Sequence, residues 1–211
     1  MKKRIKRRYR IARYVLYRQT ILAPVDHFWT FLGAFTAIAS LGLIQQSRFT
    51  PQDDVFLIGS FGASCVLIFG ATHSPLAQPR NLVGGHLLAS LIGVAIQKLV
   101  PDQIWLASAL AVSLSIVGMQ ITKTMHPPAG ATALIANIGS EKIKSLGFGY
   151  TVAPVMTGVL ILLTIALIVN NIPKGRSYPV APLPWRKVTR KLRRNPPRRL
   201  HRDKVDALDV P

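Results

Sequence analysis

Five long apolar runs constrain this chain more than any other feature of its 211 residues. None of them contains Asp or Glu, and each approaches the roughly 20 apolar residues that a helix needs to cross a membrane. A soluble fold would have to bury all of them and would leave almost no surface to solvate. The sequence therefore predicts an all-α fold, a polytopic bundle of membrane helices. The five runs are Phe28–Gln45, Val55–Ala71, Leu82–Val100, Ile104–Thr122 and Thr151–Val169, and a sixth, Ala129–Gly139, is shorter.

Positive charge is concentrated at the two ends of the chain. Of the 27 Lys and Arg residues, nine lie in Met1–Arg18 and twelve in Asn171–Pro211, and the net charge is +19. Composition alone would allow a nucleic-acid-binding protein, but a soluble basic domain does not need five long, nearly uncharged runs. Because Lys- and Arg-rich flanks stay in the cytoplasm, both ends are expected on the cytoplasmic side of a cell (inner) membrane. The number of crossings is then even. Counting the short run gives six.

The charge distribution also predicts the domain boundaries. Residues 1–27 form a basic segment, residues 28–171 the transmembrane domain, and residues 172–211 a basic, Pro-rich tail that we expect to be disordered. In the first segment one helical face carries apolar side chains among basic ones, which suits a helix lying on anionic lipid headgroups. A solvated tail is the alternative. The apolar positions are Ile5, Tyr9, Ala12 and Leu16.

The two halves of the apolar region resemble each other weakly. Trp and Gly are 13 residues apart in the first long run and again in the fourth. The blocks Gly62–Ile68 and Gly130–Ile135 both begin with Gly, Ala and a hydroxyl residue and continue with aliphatic residues. Three crossings per half would give a 3+3 inverted repeat, whereas chance similarity between Ala- and Gly-rich segments is the alternative.

Two segments of this repeat have the length of half-helices. Gly62–Ala71 and Ala129–Gly139 each cover about 15 Å at 1.5 Å per residue, and helix-breaking residues precede both. Two half-helices entering from opposite faces would bring their N-termini together near the midplane, where free N–H groups bind anions. Ser64 and Thr132 would add hydroxyl donors. The alternative is that small residues simply let helices pack closely.

Two sequence blocks are similar to the HPP family of integral membrane proteins. One is His-Pro-Pro-Ala-Gly-Ala-Thr-Ala-Leu at residues 126–134. The other is Gly-Ala-Ser-Cys-Val-Leu-Ile-Phe-Gly-Ala at residues 62–71, followed by His-Ser-Pro-Leu-Ala-Gln-Pro-Arg-Asn-Leu-Val-Gly-Gly-His at residues 73–86. The resemblance covers about Phe28 to Asn171 and implies a transporter-like membrane protein. The family is usually described with four membrane helices, fewer than the six segments counted above. Its plastid and cyanobacterial members are associated with nitrite transport, which makes nitrite the implied substrate.

The candidate site residues suit an anion better than a cation. The runs contain no carboxylate, which a metal-cation transporter would need as a ligand. Arg80 and Lys123 could supply a cation at a mouth, and a histidine could carry a proton with the anion because His titrates near neutral pH. We predict no cofactor, no metal site and, with Cys65 alone, no disulfide. The predicted substrate-binding residues are Gly62, Ala63, Ser64, His73, Arg80, Asn81, His86, His126, Pro127, Pro128, Gly130 and Thr132.

Two other functions fit the same residues. Residues 62–65 resemble part of the nucleophile motif of intramembrane serine proteases, with Ser64 as nucleophile and His86 or His126 as base. A regulatory or structural membrane subunit without transport of its own is the other alternative. The preferred prediction is a non-enzymatic anion transporter or channel whose partners are the lipid bilayer, a small anion with or without protons, and in some assemblies a second copy of the chain.

Overall fold

The computed structural model describes residues 24–48 and 58–180, and within these ranges the chain is helical with no strand. This confirms the all-α membrane bundle. The predicted amphipathic N-terminal segment and the tail from residue 181 lie outside the described residues. The α-helices are α1 (Pro24–Arg48), α2 (Gly59–Cys65), α3 (Pro79–Leu99), α4 (Ile104–Thr122), α5 (Pro127–Ile138), α6 (Glu141–Ser145) and α7 (Thr157–Val169). Two π-helical segments, Val66–Gly70 and Thr151–Met156, follow α2 and precede α7, and Pro75–Ala77 is a 3₁₀ turn.

Four helical stretches in the described part of the chain are long and apolar enough to cross a membrane. They are Pro24–Ser47, Pro79–Leu99, Ile104–Thr122 and Thr151–Val169. The expectation of a fifth long helix at Val55–Ala71 is wrong, because the helix begins at Gly59, after an extended Ile58. It ends at Gly70, since Ala71 leaves the helical region with φ −132° and ψ 49°. The four long helices agree with the number usually given for the HPP family.

Two short helical segments complete the bundle. Gly59–Gly70 and Pro127–Ile138 each contain 12 residues, which corresponds to about 18 Å if wholly α-helical. The second begins sharply because His126 is extended, with φ −139° and ψ 99°, and two prolines follow it. Both predicted half-helices are therefore present, but the first starts three residues earlier than predicted.

The contacts place both ends of the membrane domain on one side. At the side that we name the Asp26 end, the Thr30 hydroxyl donates to the carbonyl of Phe69, and Arg176 pairs with Asp26. At the opposite side, which we name the Lys98 end, Lys98 approaches Gly147. In the described ranges six helical segments thus alternate in direction, but four of them are long enough to cross a membrane, where the sequence predicted six crossings. Each half has the order long, short, long, and the two halves run in opposite directions, consistent with the 3+3 repeat.

Helices α3 and α5 approach closely at two glycines. A Cβ atom placed on Gly93 would lie 2.7 Å from the carbonyl oxygen of Ala133. On Gly85 it would lie 2.8 Å from the Cβ atom of His126. Small residues at membrane helix contacts let two backbones come together in this way. The two glycines therefore set how near α3 brings its polar side chains to α5.

Residues 171–180 fold back over the Asp26 end, and we name them the C-terminal strap. The Asn171 side chain donates to the carbonyl of Tyr178 and accepts from its N–H. The buried Tyr178 hydroxyl donates to the carbonyl of Ala77 at 2.7 Å, and Val180 N–H donates to the Gln78 side chain. We predicted from the sequence that the disordered tail begins at residue 172. In the structure, residues 172–180 pack against the membrane domain.

The Tyr178 hydroxyl gives the strap a testable anchor. Burial raises the pKa of this phenol, so it remains a donor throughout the physiological range. We expect Tyr178→Phe to lower the free energy of unfolding by about 1 kcal/mol, because the Ala77 carbonyl loses its donor. Thermal unfolding in detergent measures this change. A transition temperature equal to that of the unmodified protein would show that the strap does not depend on this bond.

Candidate functional site

Four polar side chains meet in the interior of the bundle. Ser64 lies on the last turn of α2, His86 on α3, Thr132 on α5, and His126 at the residue that precedes α5. All four residues have an exposed fraction of 0%. A buried polar group is costly unless it is hydrogen-bonded, so the contacts among them decide what this cluster is. We name these four residues the central cluster.

The central cluster is a continuous series of hydrogen bonds. The Ser64 hydroxyl lies 2.9 Å from Nε2 of His86 and 3.0 Å from Nε2 of His126. Nδ1 of His86 lies 2.7 Å from the Thr132 hydroxyl. The two imidazole rings are 5.1 Å apart, centroid to centroid. Both histidines therefore converge on one serine.

Surrounding groups fix the orientation of the central cluster. Nδ1 of His126 lies 2.9 Å from the carbonyl oxygen of Leu76. The Tyr150 hydroxyl donates to the backbone carbonyl of Thr132 at 3.1 Å. The Asn81 amide donates to the carbonyls of Pro75 and Met125, which ties the loops before α3 and α5 together. Leu76 and Tyr150 did not emerge from the sequence. A backbone acceptor carries no residue-type signal, and one tyrosine beside an apolar run has no distinctive pattern.

The helix N-termini do not form the predicted anion site. Because α2 begins at Gly59, the N–H of Gly62 lies inside the helical hydrogen-bond ladder and is not one of the free N-terminal groups. At α5, Pro127 and Pro128 have no N–H, and the N–H of Ala129 donates to the carbonyl of His126. The donors at this site are therefore side chains.

Three small residues of the predicted site lie away from the central cluster. Gly62 and Ala63 are on the exposed face of α2, and Gly130 is half-buried on α5. A Cβ atom placed on either glycine would meet nothing within 4 Å. Neither glycine is thus needed for close packing within one copy of the chain.

Known proteins similar to this chain define its family. The family described as the HPP transmembrane region matches residues 19–179. The chain belongs to the HPP transmembrane family. The signature residues 126–134 of this HPP chain thus hold two of the four members of the central cluster, His126 and Thr132.

Two proteins of Dictyostelium discoideum, each called a transmembrane protein, are similar to the HPP chain. One is 48% identical over 155 residues, which cover 72% of the chain and 50% of the relative. The other is 47% identical over 155 residues, which cover 72% of the chain and 54% of the relative. The chain thus spans about half the length of these relatives. No solved structure matches it.

Arg80 and Lys123 of the HPP chain lie at the Asp26 end. Arg80 is exposed, and its Nη2 donates to the carbonyl of Thr122 at the end of α4. Lys123 is exposed beside it and adopts a left-handed conformation, with φ 56°. Pro127 is exposed and Pro128 buried in the first turn of α5. Neither cation reaches the central cluster.

A cavity of about 410 Å³ opens at the same end. His73, Lys174 and Arg176 line it together with Asp26. The Arg176 side chain is 9% exposed, and its Nε donates to the Asp26 carboxylate at 2.8 Å. The sequence gives no sign of a role for Arg176, because it lies among the many arginines of the C-terminal region. In the described ranges, no group of three His, Cys, Asp or Glu side chains could hold a metal ion.

Proposed function

We propose that this HPP protein transports a small inorganic anion across the membrane, with nitrite as the first candidate. The observation that carries this proposal is the central cluster, a fully buried set of hydroxyl and imidazole groups inside an apolar bundle. Polar groups are rare at such a depth and mark substrate pathways in membrane proteins. The association of some HPP proteins with nitrite transport supports nitrite over other anions.

The chemistry of the central cluster fits an anion that accepts hydrogen bonds. Nitrite carries one negative charge at neutral pH and can accept hydrogen bonds from hydroxyl and imidazole donors. Asp26, in the first turn of α1, is the one carboxylate in the described helical segments that cross the bundle, and it pairs with Arg176. An anion near Ser64 would therefore meet no adjacent negative side chain from the described part of the protein.

The cavity at the Asp26 end supplies an electropositive mouth in this proposal. Lys174 and Arg176 carry two positive charges there against the single carboxylate of Asp26. Such an imbalance raises the local concentration of anions. With the basic ends of the chain in the cytoplasm, this mouth would face the cytoplasm of a cell (inner) membrane, and the tails would contact anionic lipid headgroups.

Uptake into proteoliposomes tests the proposal. Nitrite, nitrate, formate and chloride are supplied separately, with and without a pH gradient, and flux into protein-free vesicles is subtracted. We expect protein-dependent flux of nitrite above that of chloride. No flux of any anion would overturn the transport proposal and favour a structural or regulatory subunit.

Ser64→Ala separates transport from a second candidate function, serine hydrolysis. That candidate gains support because both histidines lie within 3.0 Å of the Ser64 hydroxyl, as a nucleophile and its base require. In a transporter, we expect Ser64→Ala to lower nitrite flux about tenfold, through the loss of a hydrogen bond of about 1.4 kcal/mol. If the protein is a serine hydrolase, Ser64→Ala should instead abolish hydrolysis entirely, because the nucleophile is removed.

Ser90→Ala is the matched control for this substitution. Ser90 is equally buried on α3, but its hydroxyl donates to the carbonyl of Leu87 within its own helix. Its removal should change flux by no more than about twofold. A fluorophosphonate probe, which modifies activated serines, should leave Ser64 unlabelled. Labelling at Ser64 that disappears in Ser64→Ala would support the hydrolase.

A further inference from the structure

We infer that the central cluster is a proton-binding chain that takes up one proton with each anion. The inference about the anion rests on the proposed function, whereas the inference about the proton rests on hydrogen-bond geometry alone. The chain runs from Thr132 through His86 and Ser64 to His126, and it ends at the carbonyl of Leu76.

The carbonyl of Leu76 decides the tautomer of His126. A carbonyl oxygen can only accept, so Nδ1 of His126 must carry a hydrogen to make the 2.9 Å contact. In a neutral imidazole the other nitrogen then has a lone pair and no hydrogen. Nε2 of His126 therefore accepts, and the donor 3.0 Å away is the Ser64 hydroxyl.

The remaining members of the chain follow from this assignment. Ser64 has a single hydrogen and donates it to His126, so its oxygen must accept from Nε2–H of His86. Nδ1 of His86 then has the lone pair and accepts from the Thr132 hydroxyl at 2.7 Å. Every hydrogen points in the same direction along the chain. The two histidines are thus opposite tautomers, with hydrogen on Nε2 of His86 and on Nδ1 of His126.

One additional proton can be accommodated without losing a hydrogen bond. The proton binds to the lone pair on Nε2 of His126, which then donates to the Ser64 oxygen. The Ser64 hydrogen turns to the carbonyl of Ser60, which lies 2.9 Å away and is already positioned to accept it. Ser64 then accepts from both histidines, and the bonds of Thr132 and Leu76 are unchanged. The two states differ by one proton and a rotated hydroxyl.

The titratable side chains near this series of hydrogen bonds are either neutral or distant from it. Within residues 24–48 and 58–180, two titratable groups adjoin it: the Tyr150 hydroxyl, which donates to the Thr132 carbonyl, and Cys65, which follows Ser64 in α2. The charged residues described on the elements packed around the chain lie at helix ends or in loops. They are Asp26, Arg80, Lys98, Asp102, Lys123, Glu141, Lys142, Lys144, Lys174 and Arg176, and His27 and His73 also lie near the Asp26 end. Among the residues that the structure describes, no carboxylate balances an added proton at His126, so an entering anion would be its counter-ion.

This pairing explains how an anion could enter against an inside-negative membrane potential. Moving one elementary charge costs about 2.3 kcal/mol per 100 mV. An anion and one proton together carry no net charge, so the potential no longer opposes their uptake. An outward proton gradient should slow uptake, and an inward gradient should drive it.

Nitrogen-15 NMR of histidine-labelled protein in liposomes tests the proton chain directly. At a pH where both rings are neutral, we expect protonated Nε2 for His86 and protonated Nδ1 for His126. Signals are assigned by their loss in His86→Gln and His126→Gln. Thr132→Val should remove the donor to Nδ1 of His86 but keep both tautomers, because the Leu76 carbonyl fixes them through His126 and Ser64. Thr164→Val on the exposed face of α7 should change neither. The same tautomer at both rings would contradict the proposed series of hydrogen bonds from Thr132 to Leu76.

Proton uptake measured with a trapped pH dye tests the coupling. We expect one proton to enter with each nitrite ion in the unmodified protein, after subtraction of protein-free vesicles. Nitrite flux without proton uptake would overturn the coupling and leave the proposed function intact. Opposite tautomers without any anion flux would overturn the proposed function and leave the proton chain intact.

Discussion

His126→Gln should lower protein-dependent nitrite flux about 100-fold, because glutamine cannot carry the proton that accompanies the anion. Loss of one positioned acid–base group typically has an effect of at least this size. The amide of glutamine can still donate or accept near Ser64, so the effect exceeds that of losing one hydrogen bond. The initial rate of labelled nitrite uptake, with the dye signal recorded in the same vesicles, measures both consequences.

His73→Gln is the matched control for this prediction. His73 is exposed at the Asp26 end and lines the cavity rather than the central cluster. Its replacement should change the rate by no more than about twofold. Equal losses in the two variants would show that the cavity mouth, and not the buried ring, limits flux. Unchanged flux and proton uptake in His126→Gln would contradict a role for this histidine.

The members of the central cluster could be predicted from the sequence, but the contacts between them could not. Ser64 and Thr132 were predicted as hydroxyl donors of the two half-helices, and His86 and His126 were among the twelve predicted site residues because a histidine can carry a proton. Ser64 and His126 are 62 residues apart, however, and no local pattern predicts contacts over such a separation. The Leu76 carbonyl, which decides the direction of every hydrogen in the cluster, has no sequence signature.

The predicted helix-terminus site failed for a local reason. The two prolines that make residues 127–128 a clear helix start also remove two of the N–H groups that an anion would use. The N–H of Ala129 is then taken by the carbonyl of His126. A proline pair therefore predicts where α5 begins, but it weakens the inference that the same terminus binds an anion.

The long apolar helices could be predicted because hydropathy acts over whole segments. The basic ends predicted an even number of crossings, six by count, whereas four described helical stretches are long enough to cross, and Asp26 and Arg176 meet at one side. The length of the second run did not follow, because hydropathy does not detect that helix begins only at Gly59. Strap residues 172–180 resembled a disordered tail in composition, and only the contacts of Tyr178 show that they pack.

The close approach of α3 and α5 predicts a large effect from one added methyl group. In Gly93→Ala, the new Cβ atom would lie 2.7 Å from the Ala133 carbonyl oxygen and 2.9 Å from its Cα atom. These are backbone atoms, so rotation of a side chain cannot relieve the overlap. We expect the free energy of unfolding to fall by about 1–3 kcal/mol, measured by thermal unfolding in detergent.

Gly130→Ala on α5 is the control, and it should act in the opposite direction. Nothing lies within 4 Å of a Cβ atom at Gly130, and replacing a helical glycine by alanine stabilises a helix by about 0.5–1 kcal/mol. In Gly93→Ala, the displaced α5 also carries Thr132, the neighbour of Ala133, so nitrite flux should fall together with stability. If the Gly93→Ala protein is as stable as the unmodified one, the added Cβ atom does not overlap Ala133, and α3 and α5 are further apart than the structure shows. The hydrogen bond between His86 on α3 and Thr132 on α5 would then be too long to form.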